Sequence, residues 1–251
     1  MSFPEEISTN CIILTKIDYG ETASVVKAVS PDYGLLSFIA KGIRKPKSKF
    51  REELQLFSEI NVLLKGNCDN SLYYFIDAQI INNYVRGVDF ESTVFIQAIS
   101  ELYLQIFHYG ESQFVVYELW KRFSEYIVSV KKNKILIFWR FCFRLFYEAG
   151  INIPSDFCGF CGTNDKPFRG FSPIDNSFVC EKCFSGTLEK RSLRISDNLS
   201  FIIKNIYSIG NLKDKIEFSK SDQIKMNQII KIHLGEAYHH RFHLRSLDLL
   251  Y

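Results

Sequence analysis

Four cysteines in two closely spaced pairs, Cys158-Gly-Phe-Cys161 and Cys180-Glu-Lys-Cys183, constrain this chain more than any other feature. Each CxxC turn aims two thiolates at one point, and the eighteen-residue spacer lets a short hairpin bring the second pair round to complete a tetrahedron. The spacer carries Phe171-Ser-Pro-Ile-Asp-Asn-Ser-Phe178, two apolar runs about an Asp-Asn-Ser turn, as such a hairpin requires. The pattern predicts one structural Zn2+ held by Cys158, Cys161, Cys180 and Cys183, with a redox dithiol or fortuitous cysteines as the alternatives. Four protein thiolates close the coordination sphere, so such an ion stabilises rather than catalyses. A zinc deaminase would also need a His-x-Glu partner, which is missing. Cys11, Cys68 and Cys142 have no spaced partners and read as buried or incidental thiols.

The hydrophobic period changes along the chain. Short β-like runs at 10–18, 22–30, 35–40, 59–65 and 72–80 alternate with turn signals such as Tyr19-Gly20, Pro31-Asp-Tyr-Gly34 and Gly66-Asn-Cys-Asp-Asn70. Five such strands predict a small barrel. An SH3-like barrel fits the count; an OB-fold fits better, because the long interruption falls between the third and fourth strands, where that fold carries its extra segment. From Glu91 apolar residues recur at helical spacing, through Val94, Ile99, Leu102 and Ile106, and further helical stretches follow at 114–130 and 133–150. Residues 151–190 lose that period and gain Pro, Gly, Asp and the four cysteines, after which two or three helices are predicted, roughly at 196–209, 221–234 and 236–250. The expected architecture is α+β and multidomain. An OB-fold β-barrel occupies 1–82, an all-α domain begins at 83–153 and resumes at 191–251, and a zinc-binding module is inserted at 154–190.

A formal net charge of only +3 means that any surface for a polyanion must be local. The run Lys41-Gly-Ile-Arg-Lys-Pro-Lys-Ser-Lys-Phe-Arg51 is the densest cluster of one sign: Lys41, Arg44, Lys45, Lys47, Lys49 and Arg51, without an acid. A basic loop on a small barrel suits a phosphate backbone, because Lys and Arg exchange condensed counterions for contacts without reading sequence. A solvated loop is the plainer alternative. Tyr33, Phe38, Phe50, Tyr73 and Tyr74 are candidates for stacking on bases, each against a place in the core.

Arg140 and Arg144, four apart, share one face of an apolar helix in a stretch with no acid between Glu125 and Glu148. Among Phe138, Phe141 and Phe143 they can receive a peptide carboxylate and a hydrophobic side chain together, or else reach solvent or pair with acids of another helix. His239 and His243 are also four apart, but no Cys or acid completes a site, so with His240 they read as part of a surface helix rather than a second metal site. There is no Walker loop, no GxGxxG after a strand, no HExxH and no nucleophile elbow, and nothing speaks for an enzyme. The amino terminus has two acids and no basic n-region, and the most apolar stretch, 135–147, is broken by two arginines and too short for a bilayer. A cytoplasmic protein with no membrane partner is expected.

On these residues the chain resembles the RecO family of bacterial recombination mediators. The resemblance runs over essentially the whole chain, through Asp18-Tyr-Gly-Glu-Thr22, Pro31-Asp-Tyr-Gly34, Ala40-Lys-Gly-Ile-Arg-Lys-Pro-Lys-Ser48, Phe138-Trp-Arg-Phe141 followed by Gly150, Phe171-Ser-Pro173, and Leu244-Arg-Ser-Leu247. The family often has an acid after the Phe of that helix, where this chain has Cys142. The resemblance implies an amino-terminal OB-fold, a helical domain and an inserted zinc module. It implies binding of single- and double-stranded DNA, annealing of complementary strands and, with the partner RecR and often RecF, loading of RecA onto gaps covered by single-stranded DNA-binding protein (SSB). It also implies a helical domain that engages the acidic, phenylalanine-terminated tail of SSB, which suits Arg140 with Arg144, and a nucleoid-associated place of work. A second class stays open on the residues themselves: a zinc-bearing scaffold whose basic loop binds RNA or acidic protein without annealing.

Overall fold

Alternation of buried and outward side chains builds the amino-terminal sheet in the computed structural model, which describes residues 5–66, 72–110 and 112–250. Along β2 (Ala23–Ser30) and β3 (Gly34–Ala40) nearly every second side chain is buried. A one-residue slip would turn that apolar set outward, so the register is pinned. With β1 (Glu5–Tyr19), β4 (Ser58–Gly66) and β5 (Tyr73–Asn83) these strands form a closed barrel in the order β1-β2-β3-β5-β4. β1 serves two neighbours: its first half pairs with β4 and its second with β2, with a register shift between Ile13 and Thr15 just beyond the change of partner. This double pairing is why the strand begins at Glu5, earlier than its apolar run. β3 meets β5 in parallel and the other pairs are antiparallel. That closure is OB-like and sets aside the SH3-like alternative. Ile13, Val26, Leu36, Phe38, Ile60 and Leu64 fill the interior. Most of the turn expected at 66–70, with Cys68, lies outside the described residues.

Residues 1–129 and 244–251 form one compact unit, and 130–243 form the other. In the first, α1 (Phe90–Ile106) starts at Asp89, whose carboxylate accepts the Ser92 N–H at 3.0 Å. It lies beside α2 (Phe114–Ser129), joined by Tyr103 Oη donating to the Val116 carbonyl and Trp120 Nε1 donating to Ser100 Oγ. Glu59 of β4 ties the barrel to α2. Its buried carboxylate accepts from Tyr84 Oη at 2.7 Å, Tyr117 Oη at 2.8 Å and Lys121 Nζ at 2.9 Å. Burial pushes its pKa up, but those three donors outweigh burial and hold it below the usual carboxylate range. The chain end returns to this unit as a 3-10 turn (Arg245–Leu250), where Ser246 Oγ donates to Glu101 at 3.1 Å.

The second unit is built around α3 (Lys134–Glu148), which is buried almost all round. Asn133, in the left-handed region at φ 55, precedes it and donates to the carbonyls of Lys213 and Ile216. The cysteine module follows as β6 (Phe168–Ser172), β7 (Ser177–Cys180), α4 (Gly186–Arg191) and β8 (Leu193–Arg194), a small sheet in the order β7-β6-β8. Next come α5 (Asp197–Lys204), a 3-10 turn (Ile206–Asn211) against α3, and α6 (Lys220–Tyr238), whose Asn227 accepts from Trp139 Nε1 at 2.8 Å. A Ser219/Asp222 capping box opens α6. The helix expected at 236–250 does not form. α6 overruns Leu234 to Tyr238, His239 reverses the chain at φ 56, and only the 3-10 turn follows, so His239 and His243 do not share a helix face. Among the described residues no helix is long and apolar enough to cross a membrane.

His233 of α6 is buried against Phe146, ring centroids 4.7 Å apart, and its Nδ1 meets the Asn176 amide of the β6–β7 turn at 2.8 Å. Burial lowers its pKa from 6.5 to about 4, with the Ile151 backbone opposing. The unfolded imidazole therefore takes up a proton that the folded one refuses, and stability falls as the pH drops from 6.5 towards 4. Urea midpoints measured at pH ~7.5 and ~5 are expected to differ more for the wild type than for His233→Gln. The same difference in both proteins would exclude the residue from the acid response.

Candidate metal centre and nucleic-acid interface

The first cysteine pair sits in a turn that only its own sequence permits. Cys158 N–H donates to the Thr163 carbonyl and Gly162 N–H to the Cys158 carbonyl, closing the turn, while Gly159 N–H donates to the Phe178 carbonyl of β7. A side chain at Gly159 would collide with Ser177, so glycine is required where the turn presses on the strand. The hairpin delivers the second pair: β7 ends at Cys180, opposite Phe168, and Cys183 follows one turn later with its N–H on the Cys180 carbonyl. The four sulfurs lie within 4.8 Å of one another, Cys161 and Cys180 at 3.7 Å. Metal–sulfur bonds of about 2.3 Å in a tetrahedron need sulfur–sulfur edges of about 3.8 Å, so this set can hold a metal ion.

Electrostatics favour a cation here. Burial raises the Cys158 thiol, but N–H groups of Cys180, Phe160 and Cys161 prevail and bring it to about 7. Burial, then hydrogen bonds with Cys161 and Cys180, push Cys183 up to about 12. Four thiolates this close repel one another unless a divalent ion neutralises them. Cys11 is fully buried in the barrel core and Cys142 in α3, both raised by burial, so neither is a ligand or a nucleophile.

The basic stretch 41–51 is a chain of turns between β3 and β4, anchored by Ile43 and by Leu54 beyond it, both in the barrel core. Gly42 at φ 71 starts it, and Lys45 and Ser48 N–H close successive turns on the Gly42 and Lys45 carbonyls. Lys41, Arg44, Lys45, Lys47, Lys49 and Arg51 are all exposed. Arg44 straps the loop to the β1–β2 turn: its N–H donates to the Thr22 carbonyl at 3.0 Å, Nη1 to the Gly20 carbonyl at 3.1 Å, and Nη2 pairs with Asp18 at 3.4 Å. Of the aromatic candidates, Phe38 and Tyr73 are fully buried, Tyr33 and Phe50 pack against the core, and Tyr74 alone is exposed, with Lys41 Nζ 5.1 Å from its ring centroid.

With an OB-like barrel carrying this loop and a four-cysteine centre following a helical segment, comparison with known proteins decides the family. The family model described as Recombination protein O N terminal matches residues 1–84, and that described as Recombination protein O C terminal matches residues 87–247. The chain belongs to the RecO family. Similar proteins carry the name DNA repair protein RecO. That of Halalkalibacterium halodurans is 25% identical over 174 residues, 68% of this chain and 66% of the relative. Those of Caldanaerobacter subterraneus subsp. tengcongensis and Listeria monocytogenes serotype 4b are 23% identical over 227 residues and 22% over 243. They cover 90% and 94% of this chain, and 87% and 93% of the relatives.

In this RecO-family chain the two arginines of α3 differ in setting, Arg144 exposed and Arg140 half-buried. Beside the carboxyl end of α3 opens a cavity of about 560 Å³, lined by Tyr147, Phe157, Lys204 and Tyr207 among others. The Tyr207 hydroxyl is raised by burial and by Asp156, and the charge of Arg144 opposes that rise. Sequence reasoning finds Arg144 but not Phe157, Lys204 or Tyr207. They come from segments up to fifty residues apart with no common spacing, and only the packing of the 3-10 turn on α3 gathers them.

Proposed function

We propose that this chain is a recombination mediator rather than an enzyme. It binds single- and double-stranded DNA, anneals complementary strands and, with RecR and often RecF, helps load RecA onto SSB-coated DNA in the cytoplasm. The observation that carries this is the loop at 41–51: six exposed cations held by turns and two buried anchors on an OB-like barrel. Such a loop neutralises phosphates without selecting sequence, which two complementary strands need if they are to approach. Residues 1–82 would serve DNA, 83–153 and 191–251 partner proteins, and 154–190 hold one structural zinc. Bound at Cys158, Cys161, Cys180 and Cys183, zinc would supply a cross-link between the two halves of the module.

Arg140 with Arg144 on α3, and the cavity beside the carboxyl end of that helix, suit the SSB tail. Arg144 and Lys204 meet its carboxylates, and Tyr147, Phe157 and Tyr207 enclose a terminal aromatic side chain. Annealing of complementary oligonucleotides coated with SSB tests the whole reading, with acceleration expected. Failure to accelerate, with RNA or acidic protein still bound, would move the chain to a zinc-bearing scaffold. Arg144→Ala should weaken binding of an SSB tail peptide about three- to tenfold while leaving naked DNA binding intact, and an unchanged peptide titration would remove the cavity from the scheme.

A further inference from the structure

We propose that Tyr74 and an apolar row beside it form a stacking ledge for unpaired bases, which makes the barrel prefer single strands to duplex. This rests on the reading of 41–51 as a phosphate-binding loop. The register draws the row across four strands: Ile17 stands opposite Val25, Val25 opposite Ile39, and Ile39 opposite Tyr74. Directly paired residues share a face. This one is the outer face, since the sequence neighbours Val26, Phe38 and Tyr73 are in the core. Tyr74 is 51% exposed and Ile17 58%.

A water-facing row of an antiparallel sheet is ordinarily polar, and the next row on this barrel, Thr15, Lys27 and Ser37, is. The apolar row is a local departure flanked by cations on several sides. Lys65 of β4, ion-paired with Glu6 at 3.7 Å, stands opposite Tyr74, Lys27 lies in the row below, and Lys41 stands over the Tyr74 ring. Arg44 straps the basic loop to the turn that joins β1 to β2, next to Ile17 and Val25. An apolar strip that follows the curve of the barrel, with one π-face and cations at its margins, complements a single strand, whose bases turn in and phosphates turn out. Paired bases within a duplex present no face to it. When a base takes the ring, Lys41 is released to a phosphate.

Fluorescence anisotropy of the full chain with three probes tests this: an oligothymidylate, the same backbone with abasic sites, and a blunt duplex. The wild type should bind the thymidylate about five- to 150-fold more tightly than the abasic strand. Tyr74→Ala should abolish that difference while leaving abasic and duplex affinities, and the salt slope, within about twofold. Tyr74→Phe, which keeps the ring, should retain it. Equal wild-type affinity for thymidylate and abasic strands would overturn the ledge, as would a Tyr74→Ala loss shared by all three probes. Failure of the underlying loop reading looks different: abasic and duplex binding would then survive Lys45→Glu, Lys47→Glu and Lys49→Glu together.

Discussion

Cys180→Ser protein is expected to lose its metal and, with it, the slow-exchanging amides of the β6–β7 hairpin. The two strands are five and four residues long, and a hairpin of that size is marginal in water by itself. Phe168, Phe171 and Phe178 are fully buried, but the cysteines bring their neighbours into place. Binding of a structural zinc contributes about 10–16 kcal/mol in small zinc domains, as much as the whole stability of a typical domain, about 5–15 kcal/mol. Cys180 is the position to change because its buried sulfur lies 3.7 Å from Cys161 Sγ, where the two pairs meet. Hydrogen exchange should show Phe178 and Val179 deprotected while Val26 and Ile60 of the barrel keep their protection. Elemental analysis of reduced, untagged wild type should find one zinc per chain. Cys183 holds its proton up to about 12 when no ion neutralises the set, so loading releases protons and metal affinity falls as the pH is lowered. Metal-free wild type with a fully protected hairpin would refute the structural role.

Reversing Lys45, Lys47 and Lys49 to Glu together should weaken DNA binding by about 10²–10³-fold near 0.1 M salt. Each phosphate contact contributes about 0.7–0.9 to the slope of log K against log salt, so three lost contacts remove roughly two to three units of slope and, one decade below 1 M, as many decades of affinity. The loss should be the same for unrelated sequences, because these side chains reach phosphates and no base edge. The fold should survive the change. All three are exposed, and none forms a salt bridge among the described residues. An undiminished affinity, or one that falls without a change in salt slope, would remove the loop from the interface.

The cysteine centre is legible in the sequence, since spacing and the hairpin between the pairs follow from chain geometry at short range. The strands were legible for the same reason: period-2 burial in β2 and β3 is a local property that the sheet keeps. Tertiary contact overrode local pattern where the reading failed. Residues 236–250 look helical by composition, yet α6 ends at Tyr238 because His239 turns left-handed, and the tail packs instead with Ser246 on Glu101. Of five aromatic residues suited to stacking, the pleat buries Phe38 and Tyr73 and turns Tyr74 to water, while Tyr33 and Phe50, in turns, are half-buried against the core.

By itself the sequence determined the four-cysteine cluster, the barrel's strands, the basic loop and the family resemblance, because each is written in residues close together along the chain. The tertiary structure alone decided the closure order of the barrel, the partners of Glu59, the residues gathered around the cavity beside the carboxyl end of α3 and the outward row that ends at Tyr74. Those depend on which distant segments pair and in what register, a matter of burying one apolar face rather than the other, and no local spacing records that choice.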